Sequence, residues 1–230
     1  MTEPLAASQG LNVAHLFWKV GPLTDHREIS QAIENVAGEP DTQIVTATIL
    51  GHKADLVTMV LSQDQRQLRR LQTALAEAGL ELCDSYLSMT EVSEYAAGMP
   101  EAMLNARLYP QLPPEAKPCF CFYPMSKRRV DGQNWFTLDF DDRSRLMREH
   151  GTSGRKFAGR VLQVVTGSTG LDDFEWGVTL FCQKPDDIKD VVYTMRFDEA
   201  SAVYAEFGTF YVGEVGSVAE VLSAVGTADH

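Results

Sequence analysis

The hydrophobic pattern divides the chain into short, well-marked elements. Leu11 to Val20 is apolar or alternating, which predicts a strand, and Thr24 to Ala37 then carries Ile29, Ala32, Ile33 and Val36 at helical spacing. Gln43 to Leu50 and Ala54 to Leu61 are β-rich runs separated by Gly51-His52-Lys53, the composition of a hairpin turn. Gln65 to Ala78 reads as an amphipathic helix with Leu68, Leu71 and Leu75 inward and Gly79 placed to end it, and Leu80 to Val92 returns as a strand. The order is β-α-β-β-α-β. A proline-rich stretch over residues 100–118 follows, with Pro110, Pro113 and Pro114, and reads as a connector preceded by at most one helical turn. Beyond it the order recurs: strand Pro118 to Tyr123, helix Asp141 to His150, strands Val161 to Thr166 and Glu175 to Phe181, helix Asp186 to Phe197, strand Phe207 to Gly213.

This repeat of element order, without internal sequence identity, predicts an α+β chain of two ferredoxin-like halves. We place the halves at residues 1–97 and 118–230, with the connector at 98–117. Helices on one face of each sheet leave the other face free to close against its counterpart as a barrel around a ligand.

Composition narrows the function classes. With 44% hydrophobic and 23% charged residues, the chain is expected to fold as an ordinary globular protein. No run is long and apolar enough to suggest a membrane span, and no basic segment with an apolar core opens the chain, so a cytoplasmic protein is the expectation. A formal net charge of −12 disfavours nucleic acid and anionic lipid as partners. The cysteines Cys83, Cys119, Cys121 and Cys182 lack zinc spacing and read as reduced and buried, with Cys119 and Cys121 sharing one face of a strand.

Two places carry candidate chemistry. His150 closes a helix in which Leu146 and Met147 precede it by four and three residues, so the three share one face. A histidine there is more often a core or helix-end residue than a ligand. No second histidine, cysteine pair or carboxylate cluster stands near it in sequence, so a metal held by His150 would need its equatorial ligands already supplied, as in a haem. Tyr-Pro-Met-Ser-Lys-Arg-Arg, residues 123–129, sets a phenol at a strand end before three cations. Lys127, Arg128 or Arg129 suits a carboxylate-bearing ligand, and a tyrosine beside an oxidant can lose an electron and a proton; a basic solvated loop is the plainer reading.

Four ordered motifs carry a resemblance: residues 123–129, Glu-His-Gly-Thr-Ser-Gly-Arg at 149–155, Gly-Leu-Asp-Asp-Phe-Glu-Trp-Gly-Val-Thr-Leu-Phe at 170–181, and Met-Arg-Phe-Asp-Glu-Ala-Ser-Ala at 195–202. Together with residues 51–55 and 85–92 they resemble the coproheme decarboxylases of the chlorite dismutase superfamily. The resemblance implies a dimeric α+β barrel, with the porphyrin held by the C-terminal half, in a homopentamer. It implies iron coproporphyrin III (coproheme) as substrate and redox centre, haem b as product and hydrogen peroxide as oxidant, two propionates being converted to vinyl groups. His150 then matches the proximal iron ligand, Tyr123 the radical tyrosine, Lys127 the lysine that places a propionate and Gln163 the distal residue. Arg196 and Ser201 match the propionate-side segment, Arg107 and Tyr109 are the connector candidates, and Trp135 and Trp176 match tryptophans of the family. A distal glutamine lacks the positive charge with which an arginine stabilises a chlorine oxyanion, which disfavours chlorite chemistry. Transient contact with a coproporphyrin ferrochelatase is a further expectation. The alternatives are a haem-binding sensor or carrier without turnover, and a dye-type peroxidase of the same barrel superfamily.

Overall fold

The computed structural model describes residue 3 and residues 5–226. The first half runs β1 (Asn12–Lys19), α1 (His26–Ala37), β2 (Thr42–Ile49), β3 (Leu56–Ser62), α2 (Gln65–Glu77) and β4 (Glu81–Thr90). Asp25 and Asp64 cap the N-termini of α1 and α2 through side-chain acceptors, and Gly79, with φ +89°, follows the end of α2 in the left-handed region. A Cβ at Gly79 would lie 2.3 Å from the Leu23 carbonyl oxygen, so the position excludes other residues twice over.

The connector holds more structure than one turn: α3 spans Glu101–Leu108, and no residue of it is buried. Its apolar positions form no continuous stripe, which is why hydrophobic periodicity did not reveal it. The second half runs β5 (Cys119–Lys127), the small hairpin β6 (Arg129–Val130) and β7 (Gln133–Asn134), α4 (Phe140–Arg155), β8 (Val161–Gly167), β9 (Trp176–Cys182) and α5 (Pro185–Met195). It ends with α6 (Glu199–Ala202), β10 (Ala205–Phe207), β11 (Tyr211–Val215) and α7 (Val218–Val225). Three boundaries differ from expectation. β5 continues through Pro124 to Lys127, α4 continues past His150 to Arg155, and the last strand is divided into β10 and β11. Gly151 and Gly154 lie inside α4, which tolerates their missing side chains.

The sheet order is β10-β5-β11-β2-β3-β1-β4-β8-β9, and pairing of β5 with β9 closes the ring. The two halves therefore have matching strand orders, β2-β3-β1-β4 and β8-β9-β5-β11, joined at β4–β8 and β11–β2. This is the expected α+β barrel within one chain. One apolar cluster draws on every strand of the ring, including Val13, Phe17, Val45, Met59, Tyr86, Phe122, Val164, Phe181 and Tyr211, and fills the barrel, so the interior is packed core and not the ligand enclosure expected from the sequence. The helices α1, α2 and α7 cover the outer face of the first half, and α5 packs over β5 and β9 on the second. No helix among the described residues is long and apolar enough to cross a membrane.

Candidate functional site

Strand register places the candidate chemistry on the outer face of the second sheet. Val165 pairs with Val178 and Val178 with Tyr123; one rung away Gln163 pairs with Leu180 and Leu180 with Cys121; on the other side Gly167 pairs with Trp176 and Trp176 with Met125. Alternation sends all of these outward. Tyr123 and Lys127 share this face, four residues apart on β5. The cover by α5 stops short of β8, so Gln163 is exposed and Val165 is 40% exposed, whereas Val178 and Tyr123 beside it are buried. That leaves a partly apolar shelf beside the buried phenol.

Tyr123 stacks on Phe210, with ring centroids 4.5 Å apart, and meets Phe207 edge-on at 5.7 Å. Burial pushes its phenol well above the ordinary value, against a small opposing pull from the Arg196 guanidinium. It is therefore a protonated hydrogen donor and not a phenolate. Arg196 is exposed and lies over the Phe207 ring at 5.4 Å.

Lys127 is buried. Its Nζ donates to the Ala200 carbonyl at 2.6 Å and lies 4.4 Å from the Trp135 ring centroid. Burial lowers its pKa to about 8, with Asp198 and Glu175 drawing it partly back, yet no carboxylate of the described residues forms an ion pair with it. A cavity of about 360 Å³ opens beside Lys127 and Arg129, although its lining includes neither His150 nor Tyr123.

His150 stands on α4, where Leu146 is buried and Met147 partly buried against Trp135, Ala200 and Tyr204. Its Nδ1 faces both oxygens of Asp198 at 3.2 Å and the Ser201 hydroxyl at 3.4 Å. Burial opposes ionisation of Asp198, but hydrogen bonds from His150 and Ser201 outweigh it and hold the carboxyl below the usual range. An ionised Asp198 can only accept, so Nδ1 donates to it, and Nε2, without a partner among the described residues, is the ring atom left for a metal. The site fits a metal that needs one protein ligand. Among the described residues no three His, Cys, Asp or Glu side chains gather to hold a metal by themselves.

The segment 196–201 ties these parts together: Arg196 beside Tyr123, Asp198 and Ser201 on His150, the Ala200 carbonyl on Lys127. Neither connector candidate shares a hydrogen bond, ion pair or ring contact with this group among the described residues. Tyr109 Oη accepts from the Gly10 amide at 3.2 Å, and Arg107 is exposed on α3. Trp135 is buried behind Lys127, and the Trp176 indole N–H donates to Glu91 at 3.1 Å. The cysteines are free, as expected, but Cys83 is exposed and Cys119 intermediate; only Cys121 and Cys182 of the four are buried. Cys83 is the unpaired residue where β4 shifts register against β1, and its thiol donates to the Phe17 and Lys53 carbonyls.

Sequence reasoning overlooked Asp198, Phe207, Phe210 and Glu91 as parts of the site. Asp198 carried a signal, since Asp-Glu-Ala-Ser is a helix-capping pattern and Asp198 caps α6 by accepting from the Ser201 amide.

A family model described as chlorite dismutase matches residues 24–216. The coproheme decarboxylase of Staphylococcus carnosus is 45% identical, with 73% of this chain and 70% of that protein covered. A putative heme-binding protein of Natronomonas pharaonis is also 45% identical over 76% of this chain, which spans about a third (32%) of that relative. Among solved structures, a heme-binding protein from Thermus thermophilus superposes with a TM-score of 0.82 at 33% identity, covering 97% of this chain and 98% of the other. The chlorite dismutase of Candidatus Nitrospira defluvii shares the fold, with a TM-score of 0.78 at 19% identity over 96% and 97% of the two chains. The repeat of ferredoxin-like halves, the closed barrel and the family match over most of its length together establish that this chain belongs to the chlorite dismutase family.

Proposed function

We propose that this protein is a coproheme decarboxylase, which oxidatively removes two propionate carboxyls of iron coproporphyrin III with hydrogen peroxide to give haem b. The observation that carries the reading is one constellation: an imidazole with a free Nε2, a buried phenol that stays protonated, and a buried ammonium without a carboxylate partner among the described residues. The similarity to the Staphylococcus carnosus enzyme supports the same substrate.

His150 would hold the iron through Nε2, with Asp198 and Ser201 fixing the ring from behind. The bound iron porphyrin would supply the oxidising power of the peroxide. Tyr123 gives up the hydrogen of its hydroxyl, electron and proton together, because burial disfavours phenolate. Its oxygen then takes a hydrogen from the β-carbon of the propionate; the second electron would pass to the oxidising equivalent drawn from the peroxide, carbon dioxide departs and a vinyl group remains. Each propionic acid with one peroxide gives one vinyl, one carbon dioxide and two waters, which balances the step. Lys127 pairs with a propionate carboxylate in exchange for the Ala200 carbonyl, and Arg196 flanks the same edge. Arg107, exposed on α3, is available to another carboxylate, with Tyr109 beside it. Gln163 faces the shelf as a neutral distal amide. A cytoplasmic homopentamer in transient contact with a ferrochelatase completes the reading and rests on the family resemblance.

The carrier alternative is favoured by the names of two relatives, each described only as heme-binding. Titrating peroxide into the protein loaded with iron coproporphyrin III, with products followed by mass spectrometry, separates the two. The wild type is expected to lose two carboxyls and Tyr123→Phe none. Unchanged porphyrin in both would establish a carrier.

A further inference from the structure

The seam between the halves holds an unusual substitution of one side chain for another. β4 and β8 are joined by two pairs, Met89 with Gly167 and Thr90 with Thr166. Gly167 has no side chain to fill its place on the outer face, and a Cβ built there would lie 2.2 Å from a carboxylate oxygen of Glu91. Glu91 thus occupies the position of the missing side chain. It becomes the lateral neighbour of Trp176, the cross-strand partner of Gly167, and accepts the indole N–H at 3.1 Å. Trp176 is itself the cross-strand partner of Met125, and the next rung of the same face is Val165, Val178 and Tyr123.

We infer that Glu91, which belongs to the first half of the chain, is a positioning residue of the porphyrin site, holding the Trp176 indole as the wall at one edge of the shelf. The second half does not complete the site alone. The inference rests on the reading that the outer face of β8 and β9 receives the porphyrin, and it adds what fixes that edge. Glu91 is exposed, as expected of a rim that a flat ligand covers. An indole has one donor, so its orientation about χ2 is set by where that donor finds an acceptor. Without Glu91 the ring is free to turn, and the edge at which a propionate must meet Tyr123 loses definition.

The test is binding of metal-free coproporphyrin III, read by absorbance shift, together with turnover of the iron form, in the full-length protein. Glu91→Ala is expected to weaken binding and lower kcat/KM about tenfold, an effect of the size of one lost hydrogen bond with some loss of alignment. Glu91→Gln keeps a carbonyl acceptor and should stay within about twofold of wild type. Gly167→Ala, which displaces Glu91 without altering it, should reproduce the alanine loss. In a Trp176→Phe background, Glu91→Ala should add nothing, because contacting residues couple. Equal losses for the Gln and Ala variants, or multiplying losses in the double variant, would overturn the inference, as would a wild-type-like Glu91→Ala. If the wild type binds no porphyrin, the functional reading falls first and this inference with it. If it binds and turns over but Glu91→Ala matches it, only the inference falls.

Discussion

Lys127 shows how a single buried charge can tie ligand affinity to pH. Its pKa falls from 10.5 to about 8, chiefly through burial, so between these values the unfolded chain holds a proton that the folded chain has released. Stability of the ligand-free protein therefore gains as pH rises from about 8 toward 10.5, while the ammonium that would bind a propionate disappears. Affinity for coproporphyrin III is expected to weaken above about pH 8, and Lys127→Met should bind more weakly than wild type below that pH and lack the dependence. Equilibrium titrations across pH decide the matter; a parallel pH dependence in Lys127→Met would exclude the lysine. At this scale the sequence offered residue types. It named the phenol, the lysine and the imidazole, but not Asp198, whose value lies in reaching a histidine 48 residues earlier in the chain.

At the scale of elements, α4 depends on its anchoring. Leu146 is 1% exposed and packs with Trp135, Ala200 and Tyr204, the same cluster that supports Lys127 and the segment carrying Asp198. Leu146→Ala should cost about 2–5 kcal/mol in urea unfolding, from lost burial and the cavity left behind. Porphyrin affinity should fall with it, because His150 is one turn further along the same helix. Retained affinity despite lost stability would show that α4 is held by other contacts. The helix and strand periods revealed most elements because each buries one face. α3 escaped because it buries none, and the continuation of α4 escaped because glycines at 151 and 154 resemble a stop signal without imposing one.

The whole barrel encloses a group that no motif suggested. His15 points into its interior, stacks on Phe122 at 4.1 Å and bonds Thr179 at 2.9 Å, leaving Nδ1 without a partner among the described residues. Burial lowers its pKa from 6.5 to about 3, so over that interval the unfolded chain takes up a proton that the folded one refuses. Stability is then lost as pH falls below 6.5, by at most roughly 1.4 kcal/mol per pH unit from this group. His15→Gln, neutral at every pH, should show a shallower decline between pH 6.5 and about 5 in urea unfolding; an unchanged slope would exonerate the histidine.

The order of elements and the doubled ferredoxin-like pattern follow from the sequence itself, because period and capping are local properties, and the resemblance carried by four motifs singles out His150, Tyr123 and Lys127 as candidates. The uncovered shelf on β8, the pairing of His150 Nδ1 with Asp198 and the meeting of Glu91 with Trp176 were decided only by tertiary structure. Each depends on residues far apart in the chain, such as 91 and 176 or 150 and 198, and neither hydrophobic period nor motif specifies such a meeting. The packing of two sheets into one ring supplies it.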